Sequence, residues 1–126
     1  MEYFFVYVIG AALYCRIEIL FRGWTHWSMF FVSGGCFLMM YLLSQTAMPL
    51  WAKWLSSAGL ISLIEVLAGI ILNLVLKLGV WDYSSELLNI LGQVCPLYSF
   101  FWLLLSIAGI SLCAFIRPHL RRLLQA

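Results

Sequence analysis

Charge is scarce in this chain. Seven Lys and Arg and five Asp and Glu are spread over 126 residues, 10% of the chain against 65% hydrophobic. A soluble domain averages about 25% charged and about 45–50% apolar residues. A protein this small has too little interior to hide that apolar excess, so lipid must be its solvent. The net charge of +2 and the lack of a basic stripe exclude a nucleic-acid partner. The four cysteines (Cys15, Cys36, Cys95, Cys113) have no CxxC spacing and lie in or beside apolar runs, where cysteine behaves as a small buried hydrophobe. Several motifs are absent. Without a Walker A loop the chain does not itself hydrolyse ATP by that route. No HExxH or Cys/His pattern supports zinc, and no GxSxG elbow supports a hydrolase. Neither a metal nor a cofactor is expected. A basic n-region is also missing, and Arg16 and Glu18 interrupt the first apolar run, so this run reads as a permanent helix rather than a cleaved signal.

What is present is four long apolar stretches. Spanning the hydrocarbon takes about 20 helical residues, and the pattern predicts spans over 3–21, 28–50, 57–76 and 96–116. Thr25 or Ser28 would cap the second helix and Pro49 end it. Pro96 suits a first helical turn, and Pro118 would stop the last helix. Trp24, Trp27, Trp51, Trp54 and Trp81 fall outside or at the margins of these spans, as in a headgroup-level aromatic belt. Trp102 alone lies inside one. The expectation is an all-α integral membrane bundle of four transmembrane helices, one domain over 1–126. A partly buried helical loop would precede the last helix, with Asp82 capping a short helix over 83–91.

The few polar residues follow helical spacing. Gly10, Tyr14, Glu18 and Arg22 share one face of the first segment, and Glu18 can pair with Arg22 four residues on. Glu65, Gly69 and Asn73 share a face of the third. Glu65 falls near the bilayer midplane, where a charge costs about 2.5–3.5 kcal/mol even on insertion scales and so faces a partner or a wet cavity. A polar cluster of Glu18, Arg22, His26, Asn73, Asp82 and Asn89 is expected, with Glu65 as its floor. Each member also has a structural role open to it: ion pair for Glu18 and Arg22, helix cap for Asp82, belt residue for His26, helix glue for Asn73.

Several stretches together resemble the putative ABC-transporter type IV family of small bacterial membrane proteins. They are Arg22-Gly23-Trp24-Thr25-His26-Trp27-Ser28-Met29-Phe30, then Gly34-Gly35, Glu65 with Asn73, Trp81-Asp82-Tyr83-Ser84, and Asn89-Ile90-Leu91-Gly92-Gln93-Val94-Cys95. The family pattern carries a proline between the Tyr-Ser pair and the Asn, where this chain reads Ser85-Glu86-Leu87-Leu88. That departure bears on the local path of the loop. The resemblance implies a permease-like role and brings no catalytic or transport residue with it.

The expected function is a transport-type membrane subunit that binds a small polar or ionic solute, or a lipid headgroup. Glu65 would be the midplane ligand or proton site, and Glu18, Arg22, Asn73, Asp82 and Asn89 would complete the binding set. Four short helices enclose little volume, so a homodimer or a partner membrane or ATPase subunit is expected. An enzyme acting on a lipid-linked or phosphate-bearing substrate is the rival, with His26, Asp82 or Glu18 as acid or base and Arg22 holding a phosphate. A third reading is an assembly subunit whose polar residues only fix helix register. Arg117, Arg121 and Arg122 after the last span place the C-terminus in the cytoplasm and the protein in the inner membrane, as a multi-pass protein.

Overall fold

The computed structural model describes residues 1–125. Its elements are α1 (Glu2–Arg22), α2 (Trp27–Ser44), α3 (Leu50–Gly69) running on into a π-helix (Ile70–Val75), and α4 (Pro96–Gln125). No strand occurs among the described residues, only an isolated bridge between Ile90 and Val94. Four helical runs are long and apolar enough to cross a membrane, with α3 and its π-helical extension forming one run, Leu50–Val75. The all-α, four-span expectation therefore holds, and this is a multi-pass membrane protein.

The distribution of side chains agrees with lipid as solvent. On α3 the buried positions are Ser57, Ile61, Glu65 and Gly69, a stripe at spacing four that is mostly polar or small. Leu55, Leu63 and Leu67 on the other faces are more than half exposed. Water would demand the reverse. In hydrocarbon an outward leucine costs nothing, while polar groups must find partners inside.

Three boundaries differ from those the sequence predicts. First, α2 ends at Ser44 and α3 begins at Leu50. Ser44 and Thr46 turn their hydroxyls back onto the carbonyls of Tyr41 and Leu43, and Pro49 disfavours helical backbone at Met48. Second, Pro118 does not stop α4, which continues to Gln125. Proline removes one backbone donor and crowds the preceding turn. Close by, the His119 ring Nδ1 lies 2.9 Å from the Phe115 carbonyl, so a side chain serves a carbonyl of the disturbed turn. Third, the short helix expected over 83–91 does not form; the segment folds as successive turns. The loop is still partly buried, through Val80, Trp81, Gln93, Val94 and Cys95.

By its internal contacts the chain forms two compact units, Met1–Pro49 with Ala108–Ala126, and Leu50–Ile107. In the first unit α1 and α2 pack closely. A Cβ at Gly10 would lie 2.1 Å from Phe37 Cβ, so only glycine allows that approach. The Tyr7 hydroxyl donates to the Phe31 carbonyl at 2.6 Å. Val6, Ala11, Tyr41, Ile110 and Cys113 are the most deeply buried apolar side chains of this unit. In the second unit hydroxyls join α3 to α4. Ser106 donates to Ser57 at 2.9 Å, both side chains fully buried, and the Ser62 and Ser99 oxygens lie 2.9 Å apart.

Candidate functional site

Glu65 lies on the buried stripe of α3, within the Leu50–Val75 run, and is 6% exposed. Its Oε2 accepts a hydrogen bond of 2.7 Å from the indole Nε1 of Trp102 on α4. The Tyr83 hydroxyl bears on the same carboxyl group, and the Tyr83 ring stacks on Tyr98 at 4.6 Å with planes 6° apart. Glu65 Oε1 is buried with no hydrogen-bond partner among the described residues. One oxygen is thus fixed by an indole, while the other has no hydrogen bond of its own among the described residues. An unsatisfied buried polar atom costs about 1–3 kcal/mol, more when charged. Trp102 was already distinctive in the sequence as the tryptophan inside a span, but periodicity could not assign it to Glu65.

One turn nearer the start of α3 lies an open groove of about 290 Å³. Leu63, Val66, Leu88 and Ile90 give it an apolar lining, and the Ser62–Ser99 pair gives it hydroxyls. Ser62 precedes Glu65 by three residues and Ser99 precedes Trp102 by three. Because α3 and α4 run antiparallel, Glu65 and Trp102 lie one turn, about 4.5 Å along the axis, to opposite sides of the serine pair, and their hydrogen bond crosses its level diagonally.

Asn73 sits in the π-helix, a form enriched at functional sites. Its amide is used on both sides. Nδ2 donates to Gln93 Oε1 at 2.7 Å, and Oδ1 accepts from the backbone N–H of Val80 at 2.7 Å and of Trp81 at 3.4 Å. Trp81 Nε1 donates to the Gln93 carbonyl at 3.0 Å. Gly69 makes this possible, since a Cβ there would lie 2.4 Å from Gln93 Oε1. Asn73 and Gln93 together clamp the loop onto the end of α3. Asn89 pins the far part of that loop, donating to the Ser84 and Glu86 carbonyls at 3.2 and 2.9 Å and accepting from Gly92 N–H at 2.9 Å. Asp82 is exposed, and its Oδ1 accepts from Ser84 N–H at 2.9 Å. That backbone bond, then the Ser84 hydroxyl, holds the Asp82 carboxyl below its ordinary range. Asn73, Asp82 and Asn89 thus each bond to the loop's own backbone or to Gln93, not to one another.

The remaining sequence-selected residues belong to the first unit. Glu18 is 7% exposed and accepts from Arg22 Nη2 at 3.1 Å and from Thr25 Oγ1 at 2.6 Å. The Arg22 guanidinium lies 3.9 Å from the centre of the Trp24 ring. His26, rather than Thr25 or Ser28, caps α2: its Nδ1 accepts from Ser28 N–H at 3.2 Å and lies 2.6 Å from Ser28 Oγ. The described residues contain no group of three or more His, Cys, Asp or Glu able to hold a metal.

The family model described as putative ABC-transporter type IV matches residues 3–126, nearly the whole chain. No curated protein and no solved structure matches.

Proposed function

This chain belongs to the putative ABC-transporter type IV family, and on that premise we propose that it is a permease-like membrane subunit whose second unit binds a small polar or ionic solute at Glu65. The unpartnered, buried Oε1 of Glu65 carries this reading. A carboxyl kept only to fix helix register would have both oxygens satisfied, because lipid offers no water to do so. The loop clamped by Asn73 and pinned by Asn89 forms one wall of the adjoining groove. Asp82 shapes a turn of that loop. In the first unit, Glu18 and Arg22 supply a charge pair near headgroup depth. Since the sequence has no Walker A loop, ATP hydrolysis would come from a separate subunit, and a homodimer is the alternative assembly. The protein would lie in the inner membrane with its C-terminal arginines in the cytoplasm.

The geometry favours transport over the enzymatic rival. His26 Nδ1 is engaged as a helix cap and Asp82 Oδ1 in a turn, so each has a structural task that accounts for its place. Native mass spectrometry of wild-type protein and Glu65→Gln, gently extracted from membranes, tests the reading. A small ligand present on wild type and absent from a folded Glu65→Gln supports it, and a copurifying ATP-binding subunit identifies the energy source. Equal ligand occupancy in both proteins removes Glu65 from the site.

A further inference from the structure

We propose that the basic end of α4 binds the headgroup of an anionic phospholipid, with Arg122 donating to its phosphate and Arg117 adding to the attracting charge. The site lies in the first unit and stands independently of Glu65 and of the transport reading.

The length of α4 sets the depth. It has 30 residues, about 45 Å at helical rise, against a hydrocarbon core of about 30 Å. Residues 96–116 carry no charged side chain, and Arg117, Arg121 and Arg122 follow directly. That uncharged stretch matches the hydrocarbon core, so the arginines fall at headgroup depth on whichever side they emerge. The local charge does not cancel. α4 contains no Asp or Glu, and the acids of the first unit are Glu2 and Glu18. Glu18 lies about 24 Å along α1 from Glu2 at helical rise and is paired with Arg22. Glu2 is the acid that meets the basic end, and it takes Arg121 Nε at 2.9 Å. Arg117 donates to the neutral Ser44 hydroxyl at 3.3 Å. Arg122 is exposed. Among the described residues neither has a carboxylate partner. A guanidinium offers paired donors that match phosphate oxygens and is weakly hydrated, and basic residues just outside a span attract anionic lipid. The face that carries Arg122 also suits a phospholipid. Phe115, His119 and Arg122 follow one another at spacings of four and three, all exposed. That face passes from an aromatic ring within the span to a cation beyond it, as a phospholipid passes from chain to headgroup.

Arginines after a span also serve orientation, but that role alone predicts no headgroup preference in the folded protein. The test therefore measures preference. The full chain in a neutral detergent is titrated with phosphatidylglycerol and with phosphatidylcholine of the same acyl chains, and bound lipid is counted by native mass spectrometry. Wild type should favour phosphatidylglycerol by at least about tenfold, as two juxtamembrane arginines warrant. Arg122→Gln should cut that ratio by about fivefold. Arg16→Gln removes an exposed arginine outside this cluster and should leave the ratio unchanged. Glu2→Gln releases Arg121 from its carboxylate and should raise the ratio; this gain carries the test if Arg122→Gln fails to fold. Equal binding of the two lipids by folded wild type overturns the site. So does an undiminished ratio in folded Arg122→Gln, an equal fall in Arg16→Gln, or no rise in folded Glu2→Gln. Displacement of phosphatidylglycerol by inorganic phosphate at equal concentration would mean that the arginines take free phosphate, and would overturn the lipid.

Discussion

At the residue scale, the informative contrasts are between positions of the same type. Gly59 and Gly69 both lie in α3. A Cβ at Gly59 meets nothing within 4 Å, whereas one at Gly69 meets Gln93 Oε1 at 2.4 Å and its Cβ at 2.9 Å. Gly59→Ala should therefore raise stability by up to about 1 kcal/mol through helix propensity. Gly69→Ala should cost about 1–3 kcal/mol as an overpacked contact. Thermal unfolding in one detergent checks both, and equal effects would mean that Gln93 yields without cost. The same scale shows what could be read from sequence. Glu65 was legible because a midplane carboxylate is expensive. Its bond to Trp102 was not, since hydropathy locates a residue along a span and says little about which side chains meet across it. The Ser57–Ser106 and Ser62–Ser99 pairs were invisible for a related reason: serine is common in membrane helices, and nothing in its local sequence marks a partner 49 or 37 residues away.

At the element scale, the loop before α4 owes its shape to side-chain amides rather than to helical propensity. Tyr83, Ser84 and Ser85 are poor helix starters once Asp82 has closed a turn onto Ser84 N–H. Asn89 then draws in the Ser84 and Glu86 carbonyls. Leu88 and Leu91, on either side of it in sequence, adopt left-handed φ of 56°, a conformation that costs leucine roughly 1–2 kcal/mol. Bonds from side chain to backbone leave no periodic signature, so hydropathy and an Asp at the start predict a capped helix where the polar residues in fact build turns. Two outcomes follow. Asn73→Leu removes both the acceptor for Val80 and Trp81 and the donor to Gln93; amide exchange at Val80 and Trp81 should speed by tenfold or more while α1 and α2 keep their protection. Unchanged exchange would show that burial of Trp81 alone holds the loop. The second concerns pH. The folded carboxyl of Asp82 titrates below its unfolded value, so its contribution to the turn is complete above the unfolded value near 3.9 and is lost as pH falls through the lower folded value. Asp82→Asn keeps an acceptor for Ser84 N–H and should abolish that acid-dependent loosening, read as exchange at Ser84 between about pH 5 and pH 2.

At the scale of the whole molecule, an even number of spans requires both ends of this chain on one side of the membrane, and the first unit supplies a physical reason for them to stay together. Glu2 at the start of α1 accepts from the Tyr41 hydroxyl and, at 2.9 Å, from Arg121 Nε near the end of α4. Arg121 Nη2 also donates to Gln45 Oε1 at 3.2 Å, and Arg117 Nη1 to Ser44 Oγ at 3.3 Å. The last turns of α2 and α4 are thereby tied to the first turn of α1. The Glu2–Arg121 pair is part exposed, so breaking it should cost little and the effect should shrink in high salt. Arg121 nevertheless counts in a second way, because it belongs to the basic group following the last span, and such groups are retained in the cytoplasm. Epitopes placed before Met1 and after Ala126, probed by protease in sealed right-side-out vesicles, should both be protected. Charge-reversing Arg117, Arg121 and Arg122 to Glu should expose both epitopes together in a fraction of molecules, because orientation responds to the basic bias while the number of spans does not. Glu2→Gln, which breaks the tie and leaves the basic residues, should leave both protected. Exposure of one epitope without the other would mean an odd number of crossings and would overturn the four-span arrangement.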